Sequence, residues 1–323
     1  MKYSIIVTII LIKCWNLSAQ EQAAVFSQYQ VAPILITPAV AGFNDEHTIQ
    51  MNLRTAWVGF PGAPKTYGVQ YHGPIGKTLG VGLGVLSETI GSTTRFRLQM
   101  NYAFHYAFER NNKETAKIGL GFSTDFHQFR IADPQPNSAT MTEEGLIGLG
   151  YDVANDDRIQ SAIDGESIFD AALGIWGTIQ KRTFIGLTFP NLIVAKIGDI
   201  ESGESQGSFF RSVIFNFGHK FDVAGSNLTI EPSLMIRKML DVPLQAHFNV
   251  VGGFLNEQLL AGLSFQAGTG GQMGLILGTK IDVLRFYYSF DLGFQNFQQY
   301  SSGSHELTVA FTFAKSKKKF DRD

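Results

Sequence analysis

The chain has 323 residues, 17% of them charged and 44% hydrophobic, and a formal net charge of −2. The near-zero charge excludes the basic face of a nucleic-acid-binding domain, and the apolar content excludes a disordered chain. A single cysteine excludes a disulfide scaffold and a zinc site built on several thiolates. Ordinary globular domains and a membrane β-barrel remain.

The N-terminal residues have the layout of a secretory signal peptide. A basic residue precedes an apolar run at residues 5–12, and two small residues end at Ala19. The run is about half the ~20 residues that a membrane-spanning helix needs. A lipoprotein reading of Cys14 is the alternative, but a lipid-accepting cysteine normally follows a small residue and Cys14 follows Lys13. We expect residues 1–19 to be removed on export.

Residues 20–48 do not alternate regularly and contain Pro33 and Pro38. A wide barrel needs a filled lumen or forms a pore. We expect this N-terminal periplasmic segment to pack in or under the lumen of the barrel that the following residues predict.

Alternation with a period of two runs along the rest of the chain. Every second residue from Phe96 to Phe108 is apolar, and polar or small residues fill the gaps. Because successive side chains of a strand point to opposite faces, this segment has one apolar face and one polar face. An antiparallel sandwich also alternates. The strand length, above the ~9–11 residues of a membrane strand, and the aromatic residues of the apolar face favour an all-β transmembrane barrel.

The pattern predicts fourteen strands, an even number as in bacterial single-chain barrels. They lie near residues 49–57, 65–72, 79–88, 95–109, 115–127, 167–179, 183–189, 208–221, 227–237, 243–254, 258–267, 272–281, 284–295 and 304–313. With both termini in the periplasm, the two longest connections, 128–166 and 190–207, face outward, where long loops belong. We expect the barrel over residues 49–314 and a basic periplasmic tail over residues 315–323.

The hairpin centred near Asn111 or Asn112 gives a local prediction. Pairing centred there brings Arg97 and Asp125 together on the lumen side. A charge on the lipid face costs about 2–4 kcal/mol at the midplane. We therefore expect Tyr102→Lys to impair assembly and Gln99→Lys to be tolerated.

No motif for catalysis is apparent. The chain lacks a Walker loop and a G-x-S-x-G elbow, and its seven histidines form no H-x-x-x-H or H-E-x-x-H pair. The acidic stretch at residues 152–157 has oxygen ligands of the kind that calcium favours, but a solvated loop explains it better because the EF-hand spacing is missing. We predict no enzyme and no catalytic, cofactor-binding or metal site.

Four short strings are more specific than barrel physics requires. They are FSQY at residues 26–29, TPAVAG at 37–42, WVGFPGAPKT at 57–66 and YSSGSHE at 300–306. This set, in this order, resembles the PorP/SprF family of outer-membrane proteins of the type IX secretion system of Bacteroidota. The family usually has Asn-Pro-Ala-Tyr-Ala-Gly where this chain has Thr37 and Val40. The motif positions, either structural or in contact with a partner, are Trp57, Gly59, Phe60, Gly62, Ala63, Pro64, Ser302, Gly303, Ser304, His305 and Glu306.

The resemblance implies a cell outer-membrane barrel without enzymatic activity or cofactor. Some members look like parts of the secretion and gliding apparatus, and others are paired with one secreted surface protein, often a large adhesin. The implied partners are that protein, through its C-terminal domain, other secretion components and outer-membrane lipid, but no nucleic acid. We expect the partner to meet the connections 128–166 and 190–207, because loops on a rigid scaffold carry recognition. A passive pore for small solutes and a purely structural part of the machine are the alternatives.

Overall fold

The computed structural model describes residues 26–111, 113–131, 165–193, 195–196, 210, 212–239, 242–268, 271–294 and 301–314. The predicted signal peptide, the basic tail and the acidic stretch at 152–157 lie outside these residues. Within the described ranges, no helix has the length and apolar composition needed to cross a membrane.

Fourteen strands form the wall of the molecule. They are β1 (Glu46–Thr55), β2 (Lys65–Ile75), β3 (Leu79–Ile90), β4 (Thr93–Arg110), β5 (Lys113–Ile131), β6 (Glu166–Ile179), β7 (Thr183–Phe189), β9 (Val213–His219), β11 (Thr229–Lys238), β12 (Gln245–Phe254), β13 (Leu259–Ala267), β14 (Gln272–Ile281), β15 (Leu284–Gly293) and β16 (Ser304–Ala314). Two further strands, β8 (Ala195–Lys196) and β10 (Phe221–Asp222), have two residues each. Two 3₁₀ turns, Pro33–Leu35 and Pro38–Val40, precede β1.

The wall is a closed antiparallel barrel. Each of the fourteen strands pairs with its neighbours in sequence, and β1 pairs with β16 from Glu46↔Ala314 to Thr55↔His305. The predicted all-β, fourteen-strand transmembrane barrel is confirmed. β1 begins at Glu46, three residues before the predicted start. The prediction missed these residues because His47, which faces outward at the beginning of the strand, does not continue the apolar alternation.

The two faces of the wall are inverted relative to a soluble protein. Met100 and Tyr102 are exposed on the outside, whereas Gln99 and Asn101 are buried inside. The same alternation of exposed apolar and buried polar residues recurs along the other strands. The predicted contact across the β4–β5 hairpin is confirmed, since Arg97 Nη2 lies 2.8 Å from Asp125 Oδ1.

The connections differ between the two ends of the barrel. The short-turn end carries the connections 76–78, 111–112, 180–182, 223–228, 255–258 and 282–283. The opposite end, which we call the long-loop end, carries 56–64, 91–92, 132–165, 190–212, 239–244, 268–271 and 294–303. The two longest connections, 132–165 and 190–212, therefore leave the same end, as the strand count predicts.

Residues 26–45, which we call the lumen segment, lie inside the barrel. Lys117 Nζ, near the short-turn end of β5, is 3.0 Å from Asp45 Oδ2. The amide of Ser27 donates to Glu306 Oε2 at 2.9 Å, near the long-loop end of β16. The lumen segment therefore passes along the lumen from one half of the barrel to the other.

The lumen segment supplies most of the apolar interior. Its largest buried cluster packs against inward-facing Ala103 of β4 and Trp176 of β6. The segment residues of that cluster are Ile34, Ala39, Val40, Ala41 and Phe43. Tyr29 joins a second cluster with Ile214 and Met235. An inward face that is polar along most of its length thus acquires a dry core from a piece of its own chain.

Glycines of the wall leave room for the lumen segment. A Cβ at Gly80 would overlap the carbonyl group of Ala41, and one at Gly121 would overlap the backbone of Ala39. A Cβ at Gly174 would overlap Oγ1 of Thr37. Glycine within a strand marks such a close backbone approach.

The inverted faces make a direct prediction for charge substitutions. Tyr102→Lys puts a charge on the lipid face near the middle of β4, which costs about 2–4 kcal/mol. We expect this variant to lose most of its heat-modifiable mobility in unheated electrophoresis of outer membranes. Gln99→Lys, which faces the lumen opposite Asp125, should retain it. Equal losses would contradict the assignment of the faces.

The glycine contacts predict a site-specific penalty for one added methyl group. Gly121→Ala forces the wall and Ala39 apart, and such overpacking typically costs about 1–3 kcal/mol. Gly177→Ala is the control, since its Cβ would meet no atom closer than 3.6 Å. We expect a lower unfolding temperature only for Gly121→Ala. Unchanged stability of both variants would show that the segment does not press on this wall.

Candidate functional site

Three charged side chains meet inside the barrel beneath the β1–β16 seam. Arg54 Nη1 lies 2.8 Å from Glu306 Oε2 and 3.3 Å from Asp291 Oδ2. β1, β15 and β16 each supply one of them, and their side chains are 8%, 2% and 0% exposed for Arg54, Asp291 and Glu306. Buried charges persist only when they are paired and hydrogen-bonded. One guanidinium balances only one of the two carboxylates, so the carboxylate oxygens need further hydrogen-bond donors.

The lumen segment supplies most of those donors, and Ser264 Oγ of β13 donates to Asp291 Oδ1 at 3.3 Å. Besides the amide of Ser27, the Ser27 hydroxyl donates to Asp291 Oδ2 at 2.6 Å. The amide of Gln28 approaches Glu306 Oε1 at 3.4 Å, and its side-chain Nε2 donates to the Glu306 carbonyl at 3.1 Å. Hydrogen bonds to ionised groups are the strong ones. We call Ser27, Gln28, Arg54, Asp291 and Glu306 the clasp.

The residues that follow Gln28 bind a different part of the wall, strands β11 and β12. The Tyr29 hydroxyl lies 3.0 Å from Ser233 Oγ and donates to the carbonyl of His247 at 3.3 Å. Burial raises the pKa of Tyr29, so this hydroxyl keeps its proton. Gln30 Nε2 donates to Glu231 Oε1 at 2.6 Å. The FSQY string is therefore tied to strands on two sides of the lumen.

The WVGFPGAPKT and YSSGSHE strings meet at the long-loop end, just beyond the seam. The amide of Val58 donates to the Gly303 carbonyl at 2.8 Å, and the amide of Ser302 returns to the Val58 carbonyl at 2.7 Å. The amide of Trp57 donates to Ser304 Oγ at 3.1 Å. Trp57 lies two residues past β1 with a φ of 51°, so it starts the turn instead of ending the strand as the sequence suggests.

Several motif positions shape this turn. Gly59, Gly62 and Gly303 have φ values of 94°, 73° and 91°, in the left-handed region that glycine adopts without strain. The Gly62 carbonyl accepts the amide of Gly91 at 2.9 Å, which joins the first loop to the β3–β4 turn. The backbones of Ala63 and Pro64 close the turn through hydrogen bonds with Phe60 and Ala56. These contacts are all made by backbone atoms.

Neighbouring motif positions on β16 have different surroundings. Glu306 faces the lumen and belongs to the clasp, whereas His305 faces outward. His305 Nδ1 lies 2.7 Å from the Tyr288 hydroxyl, and its ring packs against Phe290 at 5.0 Å. Phe60 is 43% exposed at the tip of the first loop. The structure thus gathers the motif positions around one seam, on three different surfaces.

Sequence reasoning did not single out Ser27, Gln28, Arg54 or Asp291 as site residues. Arg54 falls at an inward position of a predicted strand, where a buried charge needs a partner. Its position could therefore have predicted an ion pair inside the barrel. Ser27 and Asp291 are 264 residues apart, and no local pattern connects them.

One small cavity lies between the lumen segment and the wall. A cavity of about 80 Å³ lies beside Phe26 and Leu35, with Glu88, Arg95 and Arg97 on its wall side. Sites for small molecules usually measure ~300–1,000 Å³. Within the described ranges, no group of three His, Cys, Asp or Glu side chains is placed to hold a metal ion.

Solved outer-membrane proteins share this architecture. The monoaromatic hydrocarbon channel CymD is 11% identical, with 93% of this chain and 94% of that chain covered and a TM-score of 0.50. A deltaS2 mutant of the monoaromatic hydrocarbon channel TodX is also 11% identical, over 87% and 93%, with a TM-score of 0.50. Omp33 of Acinetobacter baumannii is 10% identical, over 83% and 98%, with a TM-score of 0.44. At such identities the likeness concerns the fold alone.

A family model identifies the chain more specifically. No curated protein sequence matches it. The model for the type IX secretion system membrane protein PorP/SprF, however, matches residues 18–311, nearly the whole chain. Together with the closed barrel and its apolar outer face, this match locates the protein in the outer membrane. The chain belongs to the PorP/SprF family of type IX secretion system membrane proteins.

Proposed function

We propose that this protein is a non-catalytic barrel of type IX secretion that binds a secreted surface protein at its long-loop end and helps to export or anchor it. The observation that carries the proposal is the lumen segment. A barrel whose interior is occupied by its own chain is suited to hold a partner at its rim, and poorly suited to pass solutes.

The packing inside the barrel supports a scaffold role. The apolar cluster of Ile34, Val40 and Phe43 packs against Trp176 across the lower half of the lumen. The ion pair of Asp45 with Lys117 holds one end of the segment, and the clasp holds the other. Lys117 and the inward-facing polar groups of the clasp hold this segment, and this structural role supports a function without catalysis.

The rim offers a rigid frame for recognition. The first loop is tied to residues 302–303 and to Gly91 by backbone hydrogen bonds. The connections 132–165 and 190–212 leave the same end of the barrel, and most of their residues lie outside the described ones. Loops on a rigid scaffold commonly carry recognition. We propose that they contact the C-terminal domain of a surface protein or adhesin, while other secretion components meet the short-turn end and lipid surrounds the wall.

A pull-down from native outer membranes in mild detergent tests this proposal. We expect the tagged protein to recover one large secreted protein in near-equal amount. Replacing residues 134–160 by a short Gly-Ser linker should reduce that recovery about tenfold or more, because it removes recognition surface. The control replaces residues 223–228, at the short-turn end, by a Gly-Ser linker of equal length. Recovery of the intact barrel alone would contradict the proposal.

A passive pore for small solutes is the competing function, and the cavity beside Phe26 is the observation that favours it. Planar-bilayer recording separates the two functions. We expect no steady conductance from the purified protein, and openings from Gly121→Leu, which displaces Ala39 from the wall. Steady conductance of the unmodified protein would favour the pore.

A further inference from the structure

The β1–β16 seam is the one junction of the wall that no loop connects. All other neighbouring wall strands follow each other in the chain, whereas β1 and β16 are joined only by their pairing. Inside the lumen, Asn52 Nδ2 donates to Thr308 Oγ1 at 2.7 Å, and the hydroxyls of Thr48 and Thr312 lie 3.3 Å apart. These uncharged pairs support the middle of the seam and its part nearest the short-turn end.

Charged side chains hold the part of the seam nearest the long-loop end. Arg54 and Glu306 are direct cross-strand partners in the β1–β16 register. Opposite charges facing each other across two strands stabilise their pairing. Asp291 of β15 draws the same guanidinium toward a third strand.

We infer that the lumen segment is a lock for this seam, and that the clasp is where it engages. Glu306 and Asp291 present two carboxylates to one arginine. The amide of Ser27 and its hydroxyl donate to both of them. Because the seated segment shields the clasp from water, the second carboxylate depends on these donors, and a buried charge without partners is strongly destabilising. Segment seating and seam closure therefore stabilise each other.

The positions of these residues in the chain also imply an order for seam closure and the seating of the lumen segment. Arg54 is on the first strand, whereas Asp291 and Glu306 are on the last two. The docking site for Ser27 and Gln28 is thus complete only when the barrel has closed. The segment engages its clasp on the closed barrel and then opposes reopening between β1 and β16, which leaves the rim as the surface available to a partner.

Hydrogen exchange of the purified full-length protein in detergent tests this inference strand by strand. Glu306→Ala removes the side-chain bonds to Arg54 and to the amides of Ser27 and Gln28. We expect the amides of β1 and β16 to exchange about tenfold faster or more, with little change in β4 and β5, because local opening sets exchange rates. Asp125→Ala is the matched control, since it also removes a buried carboxylate from an arginine but lies between β4 and β5.

A milder variant covers the case in which Glu306→Ala does not assemble. Ser27→Ala removes the hydroxyl bond to Asp291 and the 3.4 Å bond that the hydroxyl accepts from Arg54 Nη1, and it leaves all three charges in place. It should accelerate exchange at the seam by a smaller factor, again without affecting β4 and β5. Seam amides that exchange normally in these variants, or acceleration spread evenly over the barrel, would overturn the inference. The readout requires no partner and is independent of the proposed function.

Discussion

The hydrocarbon core of a bilayer supplies no hydrogen bonds, so every backbone polar group of a spanning strand must be paired within the protein. That constraint requires the wall to close, and closure requires a seam between the first and last strands. It also makes the outside apolar and leaves polar residues such as Asn101 and Asp125 on the inside. A fourteen-strand wall then encloses a lumen too wide for its own side chains to fill. The lumen segment fills much of that space.

The lumen segment links the motif strings to the physical problem of closure. The FSQY string engages Glu306 of the YSSGSHE string, and the TPAVAG string lies against Gly80, Gly121 and Gly174. The WVGFPGAPKT string continues the seam as a rigid turn at the rim. Packing thus accounts for most of these positions, and we propose that recognition belongs to the long connections.

Much of the wall could be predicted from the sequence because strand periodicity is local. A two-residue turn fixes the register of its hairpin, so the approach of Arg97 to Asp125 follows from counting. The interior could not be predicted in the same way. The lumen segment has no periodicity, and the contact of Ser27 with Asp291 spans 264 residues. The start of β1 was also missed, because His47, which stacks between Tyr71 and Phe313 on the outer face, interrupts the apolar pattern of the sequence.

Thiol protection in isolated outer membranes tests most directly whether the lumen segment occupies the barrel. Thr37→Cys places a thiol at a lumen-segment position that is 1% exposed, and Asn44→Cys places one at an exposed position of the same segment. The single native cysteine, Cys14, lies in the predicted signal peptide. The account predicts that a small maleimide labels Asn44→Cys quickly and Thr37→Cys only after unfolding. Equally fast labelling of both variants in the folded protein would show that the lumen is not filled by this segment.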